Sequence, residues 1–172
     1  MAESRWSYPY IKELYDAGVV SGTSATTFSP AANVTRAQFV TMLAGLAGAD
    51  VSNCPATPFR DVPEGAWYAP YVNWALANGI VSGTSAVTFS PDASITRQDM
   101  AVMLYSYTQR FQVHLQQQPV TPFTDAGSIA AYAQIAVQTL QRAGVISGMP
   151  DGSFQPYGTA TREQACTMLC ML

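Results

Sequence analysis

The sequence is poor in the residues on which most catalytic and nucleic-acid-binding sites depend. It has one histidine, His114, set in a glutamine-rich stretch. A base paired with a nucleophile would therefore have to be built from carboxylates in a pocket. No catalytic residue is assigned, and the chain reads as non-enzymatic. Only 11% of residues are charged, against roughly 25% in an average soluble domain. The formal net charge is −3 and no basic cluster occurs, so the electrostatic footprint of a nucleic-acid binder is missing. The three cysteines are Cys54, Cys166 and Cys170. An odd count argues against a full disulfide framework, and none of the spacings is that of a metal site. They read as buried or incidental thiols, with no metal or cofactor expected. No apolar run approaches the length of a membrane span, about 18 residues or more. Gly22 and Gly83 do not sit in glycine-rich phosphate motifs. No leader is visible, because Met1-Ala2-Glu3-Ser4-Arg5 runs straight into a repeat. That abrupt start is expected of a piece cut from a longer precursor.

What is present is apolar material and repetition. Apolar residues make up 48% of the chain, enough for a core and too many for disorder. An offset of 61 residues carries Trp6 to Trp67, Pro9 to Pro70, Gly18 to Gly79, Phe28 to Phe89, Thr35 to Thr96 and Leu43 to Leu104 without a gap. From Gly79 onward an offset of 65 carries Gly79 to Gly144, Phe89 to Phe154 and Arg97 to Arg162, with Tyr132 in the place of Trp67. This is internal triplication. The units are placed at residues 1–47, 59–110 and 123–172, together one compact module. The linkers contain prolines and, in the second, Gln116-Gln117-Gln118.

Each unit reads as helix, loop, helix, so the expected class is all-α, with tiny β pieces allowed near the Phe-x-Pro segments. Leading helices are predicted over residues 9–17, 69–78 and 129–143, each closed by a left-handed glycine (Gly18, Gly79 or Gly144). A turn follows, containing Ser21-Gly22, Ser82-Gly83 or Ser147-Gly148. The second helix opens at Thr35, Thr96 or Thr161. Thr35 with Gln38, and Thr161 with Gln164, form capping boxes, and Asp99 is a shorter substitute in the second unit. Phe39, Met42, Leu43 and Leu46 recur at helical spacing, as do Met100, Met103, Leu104 and Tyr107, and Ala165, Met168, Leu169 and Leu172. Three stripes in equal phase predict three equivalent helices about a shared core, since one unit could not bury its stripe alone. Phe59-x-Asp61 and Phe123-x-Asp125 open units two and three, and each aspartate is expected to cap or turn the entry to a leading helix.

Arg36, Arg97 and Arg162 occupy the first helical position, where a cation opposes the helix dipole. Two explanations stay open. The arginines could serve an external anion, helped by free N–H groups at the helix start. They could equally bond an internal carboxylate or backbone carbonyls of the next unit. Trp6, Trp67, Trp74, Tyr8, Tyr68 and Tyr71 gather at the leading helices. There they could cover the face of a sugar or pack in the core. Ser21-Gly22, Ser82-Gly83 and Ser147-Gly148 could admit a ligand to the backbone or merely make a tight turn.

Taken in order, Phe59-x-Asp61, Trp67-Tyr68, Gly79-Ile80-Val81-Ser82-Gly83, Thr88-Phe89-x-Pro91 and Ile95-Thr96-Arg97 resemble the S-layer homology (SLH) domain, and three such units cover nearly the whole chain. The resemblance implies a pseudo-threefold helical assembly in the bacterial cell wall or S-layer, attached without covalent bonds to secondary cell-wall polysaccharide through pyruvate-ketal sugars. It implies fusion to a larger surface protein and grooves between neighbouring units. Arg36, Arg97 and Arg162 fall on the family's Thr-Arg-Ala-Glu motif, and the grooves of Arg97 and Arg36 are expected to be the competent ones. The sequence departs from that motif at Gln38, Asp99 and Gln164, and lacks Phe-x-Asp in unit one. The alternative is a structural or protein-interaction module that keeps the fold without a competent polymer site.

Overall fold

The computed structural model describes residues 2–172. Six helices carry the fold: α1 (Tyr8–Asp16), α2 (Arg36–Leu46), α3 (Ala69–Ala77), α4 (Arg97–Arg110), α5 (Gln134–Arg142) and α6 (Arg162–Cys170). No sheet forms among the described residues. The β pieces reduce to three isolated antiparallel bridges, Asn33 with Thr161, Thr35 with Ser94, and Thr96 with Thr159. Each joins segments of two different units rather than a Phe-x-Pro to its own turn.

Those bridges surround the pseudo-threefold axis. The Ile95 N–H donates to the Val34 carbonyl (3.0 Å), that of Val34 to Ala160 (3.0 Å), and that of Ala160 back to Ile95 (3.3 Å). The three residues are equivalent under the repeat offsets and fully buried. A closed ring of three backbone hydrogen bonds thus ties the units together where no water could replace a missing one.

Packing is also between units. The second helix of each unit packs on the leading helix of the next: α2 on α3, α4 on α5, and α6 back on α1. Meanwhile α2 touches both α4 and α6 near the axis. Phe39, Leu43, Leu104 and Leu169 are buried there, each stabilising the assembly by about 2 kcal/mol through apolar area removed from water.

The leading helices end as their sequences require. Gly18, Gly79 and Gly144 have φ near +70° (73°, 68° and 73°), a region only glycine enters cheaply. The following N–H of Val19, Ile80 or Val145 then returns to the carbonyl of Leu14, Ala75 or Leu140 (2.8–3.0 Å), closing a Schellman motif. The start of α5 is a correction. Residues 129–133 are not part of the helix: Ile129 and Ala130 are extended, and Ala131–Ala133 make a 3-10 turn. The Ala130 N–H is drawn to the Gln98 side-chain oxygen (3.1 Å). That bond holds the segment against α4 and delays the helix to Gln134, the position the 65-residue offset assigns from Ala69.

The Phe-x-Asp aspartates are the second correction. Asp61 accepts from the N–H groups of Phe89 and Ser90 (both 2.8 Å), and Asp125 from those of Phe154 and Gln155 (2.7 and 2.8 Å). They brace the Phe-x-Pro loop far along the chain instead of the leading helix. Ser90 and Gln155 sit at positive φ, which exposes two successive N–H groups to one carboxylate.

Candidate binding grooves between the units

Each arginine is placed by the threonine before it. Thr35, Thr96 and Thr161 are extended, and their hydroxyls accept from the N–H three residues on. The box closes reciprocally where Gln38 and Gln164 accept from Thr35 and Thr161 N–H (3.1 and 3.0 Å). Asp99, one methylene shorter, does not reach its own cap. Its carboxylate turns outward instead.

The other first-turn donors are taken by the neighbouring unit. Arg36 and Ala37 N–H donate to Ala93 and Pro91 carbonyls, Arg97 and Gln98 to Gly158 and Pro156, and Arg162 and Glu163 to Ala32 and Pro30 (2.8–3.0 Å). The expectation of free helix-end N–H groups for an anion is therefore corrected. These helix starts are sealed against the next unit's Phe-x-Pro loop.

The side chains cross the same seams. Nε of Arg36, Arg97 and Arg162 donates to the carbonyl of Phe89 (2.8 Å), Phe154 (2.7 Å) and Phe28 (3.0 Å). Nη2 donates to the carbonyl of Ser82 (a long 3.5 Å), Ser147 (3.3 Å) and Ser21 (2.7 Å). Each guanidinium also lies over the phenylalanine ring, 4.8, 5.1 and 4.5 Å from its centre. The arginines are 4–5% exposed. Of the two readings open at the sequence level, bonds to next-unit carbonyls hold at Nε and Nη2.

Nη1 separates the three. In Arg36 it donates to Asp99 at 3.1 Å, so this cation is matched by an acid of the neighbouring unit. In Arg97 and Arg162 it has no protein partner among the described residues. Burial pushes all three guanidinium groups below their ordinary pKa. Asp99 offsets this most for Arg36, Asp125 acts on Arg97 from a distance, and no carboxylate offsets it for Arg162. All stay charged, as arginine does in proteins, so Arg162 is a partly desolvated cation without an internal counter-ion.

These side chains meet in two equivalent grooves, each built from all three units, and the repeat predicts a third. The first, of about 350 Å³, has the Val19–Thr23 turn as floor, Gln38, Thr41 and Met42 of α2 as wall, Arg162 from unit three and Trp67 from unit two. The second, of about 330 Å³, has the Ile80–Thr84 turn, Asp99, Val102 and Met103 of α4, Arg36 from unit one and Tyr132 from unit three. The repeat offsets put Arg97, Ser147, Gly148, Gln164 and Trp6 at the corresponding places of the third. Trp6 and Trp67 are each 58% exposed and Tyr132 is 63% exposed. Such exposure of a large ring at all three equivalent places is more than a core would leave. Trp74, by contrast, is buried and stacks on Phe111, ring centres 6.3 Å apart; it belongs to the core. Tyr68 packs edge-on to Trp67 at 5.4 Å, Tyr71 is half-buried against the core, and Tyr8 borders a separate hollow beside α1.

The Ser-Gly pairs are explained by the turn. A Cβ on Gly83 would meet the Ser85 carbonyl oxygen at 2.2 Å and Phe59 at 2.6 Å, and one on Gly22 would meet Ser24 oxygen at 2.5 Å. The glycines are needed for the turn that forms the groove floor, and the serine carbonyls hold the arginines.

Asp99, Gln38 and Tyr132 were not singled out as site residues in the sequence. A signal existed: Gln38, Asp99 and Gln164 are one equivalent position, and only the aspartate is too short to close the capping box. The cysteines lie outside the grooves' chemistry. Burial pushes the Cys166 thiol up to about 12 and that of Cys170 to about 11, so neither is a thiolate at neutral pH. Among the described residues no three acidic, histidine or cysteine side chains gather as a metal cluster, and no helix is long and apolar enough to cross a membrane.

The sequence model of the S-layer homology domain matches residues 2–40, 58–101 and 122–166. An endoglucanase of Bacillus sp. (strain KSM-635) is 39% identical over 173 residues, covering 99% of this chain and 18% of that protein. An amylopullulanase of Thermoanaerobacterium thermosulfurigenes is 30% identical over 168 residues, covering 97% of this chain and 9% of that protein. A cellulosome-anchoring protein of Acetivibrio thermocellus is 28% identical over 154 residues, covering 87% of this chain and 34% of that protein. The chain thus spans only a small part, between 9% and 34%, of these relatives.

Proposed function

The chain belongs to the S-layer homology domain family, and on that premise we propose that it is a non-enzymatic anchor that holds a larger surface protein to the bacterial cell wall. Its place is extracellular, at the wall. The ligand in this reading is a secondary wall polysaccharide bearing pyruvate-ketal sugars. The observation that carries it is the first groove, where a buried Arg162 with a spare donor faces an exposed tryptophan from another unit. A ketal carboxylate would take the guanidinium Nη1 edge. The sugar's C–H face would cover Trp67, and its hydroxyls would meet Gln38, Thr41 and Thr23. Catalytic function of the parent protein would reside in other domains.

A second reading, a structural or protein-interaction module, is favoured by the burial of the arginines and their bonds to next-unit carbonyls. Equilibrium binding to purified pyruvylated wall polysaccharide, before and after mild-acid removal of the ketal, separates the two. Trp67→Ala removes an exposed side chain and should leave the melting temperature within about 1 °C, because surface changes are near-neutral. It is expected to weaken binding about tenfold or more, the scale of a lost stacking contact. No binding of the polysaccharide by the wild-type protein favours the scaffold reading, whereas binding that ignores the ketal, or that is equal in Trp67→Ala, overturns the carboxylate-and-tryptophan account of the groove.

A further inference from the structure

We infer that Asp99 is a built-in occupant of the second groove, holding the seat that a ligand carboxylate takes in the first, so that the grooves are unequal and the second is closed to acids. This rests on the anionic-sugar reading above and sharpens it.

The geometry is specific. One Asp99 oxygen accepts from Arg36 Nη1 at 3.1 Å, and the other accepts from the Tyr132 hydroxyl at 2.7 Å. The carboxylate therefore spans the groove from its cation to its rim aromatic, both oxygens engaged. The equivalent side chains do otherwise. Gln38 and Gln164 fold back on Thr35 and Thr161 of their own caps, and they carry no charge. The cause is chain length: a glutamine reaches its cap N–H, whereas an aspartate at the same position falls short and finds the arginine across the seam.

Charge follows geometry. The second groove holds one cation and one anion, and the first holds a cation alone. A ligand carboxylate entering the second groove must displace Asp99 from Arg36 or sit beside it, and two carboxylates sharing one site are strongly disfavoured. An acid ligand is thus expected to bind the second groove at least about tenfold more weakly than the first, since like charges this close repel by more than one decade of affinity. Of the three arginines, Arg36 alone takes the internal carboxylate that the sequence leaves open, and in this inference its groove is not among the competent ones. The third groove, with Gln164 at the equivalent position, belongs with the first.

Each groove floor carries its own glycine reporter, and the test uses them. Nitrogen-15-labelled protein is titrated with the methyl glycoside of a pyruvate-ketal hexose, and separately with its uncharged methyl ester, following the Gly22 and Gly83 amides and the Trp67 indole. In the wild-type protein the acid is expected to move Gly22 and the Trp67 indole saturably while Gly83 stays still until about tenfold more ligand is present. In Asp99→Gln, which installs the residue the other two units carry, Gly83 should join within about threefold of Gly22. Tyr132→Phe, which leaves the Asp99–Arg36 pair in place, should keep Gly83 silent. The ester should not discriminate between the grooves. Co-titration of Gly83 with Gly22 in the wild-type protein overturns the inference, as does a silent Gly83 in Asp99→Gln while Gly22 responds. Should no amide move in any variant, the anionic-sugar reading fails and takes this inference with it.

Discussion

Nε and Nη2 of Arg162 hold Phe28 and Ser21 of the next unit, and Nη1 is left over. Structural and ligand roles are thus divided within one side chain, and substitutions should separate them. Arg162→Ala leaves two carbonyls unpaired and should lower unfolding stability in urea by about 2 kcal/mol. Arg162→Lys keeps the charge but loses the planar fork, so polymer binding should weaken even where the fold survives, as read by equilibrium binding beside the urea curve. Tyr132 offers a pH test. Its ring is exposed, but its hydroxyl enters the groove. There burial first, then the hydrogen bond and charge of Asp99, push its pKa up to about 12. A phenol raised in the folded state adds stability below the free tyrosine value of about 10 and loses it as pH climbs towards 12. Burial also pushes the Tyr68 and Tyr107 hydroxyls up, so ultraviolet difference titration of the wild-type protein and Tyr132→Phe should differ by a late-ionising step belonging to Tyr132, and Asp99→Gln should bring that step earlier. Glu163 runs the other way. Arg5, bonded to it at 2.7 and 2.8 Å, and then Ser7 hold its carboxyl below the usual range. Its contribution is complete above the free glutamate pKa and fades as pH falls through the folded one. The acid limb of a melting-temperature profile should therefore flatten in Glu163→Gln.

At the scale of elements, the loops matter as much as the helices. Asp61 and Asp125 each give two charge-assisted hydrogen bonds to a Phe-x-Pro loop that in turn carries the arginine's acceptor. Removing either carboxylate in Asp61→Ala or Asp125→Ala should cost about 3 kcal/mol, measured by denaturant unfolding, and should loosen the groove whose arginine rests on that loop. Unit one has no such aspartate, and Phe28 and Ser29 N–H have no partner among the described residues. Helix starts and stops were legible beforehand, because capping threonines and left-handed glycines act over three or four residues. The start of α5 was not, because Gln98 on another unit decides it. Nor was the task of the Phe-x-Asp carboxylates, whose partners lie 28 to 30 residues away.

Over the whole molecule, the ring of Val34, Ile95 and Ala160 and the α2–α3, α4–α5 and α6–α1 pairs leave no unit with a complete core of its own. Unfolding should be one cooperative transition, with equal calorimetric and van't Hoff enthalpies. A fragment lacking residues 123–172 should show no such transition, since α4 and α1 would both lose their partner helix. Separate transitions for the units would contradict this closure.

The sequence alone determined the triplication, the all-helical class, the helix ends other than the start of α5, and the place of each arginine, because these follow from periodicity and from hydrogen bonds within one turn of chain. It could not determine what the arginines face. Only the tertiary structure decided that Arg36 meets an acid while Arg162 meets an open groove, and that each groove draws on three units. Such contacts join residues tens of positions apart, and one methylene of difference between aspartate and glutamine is enough to change which partner wins.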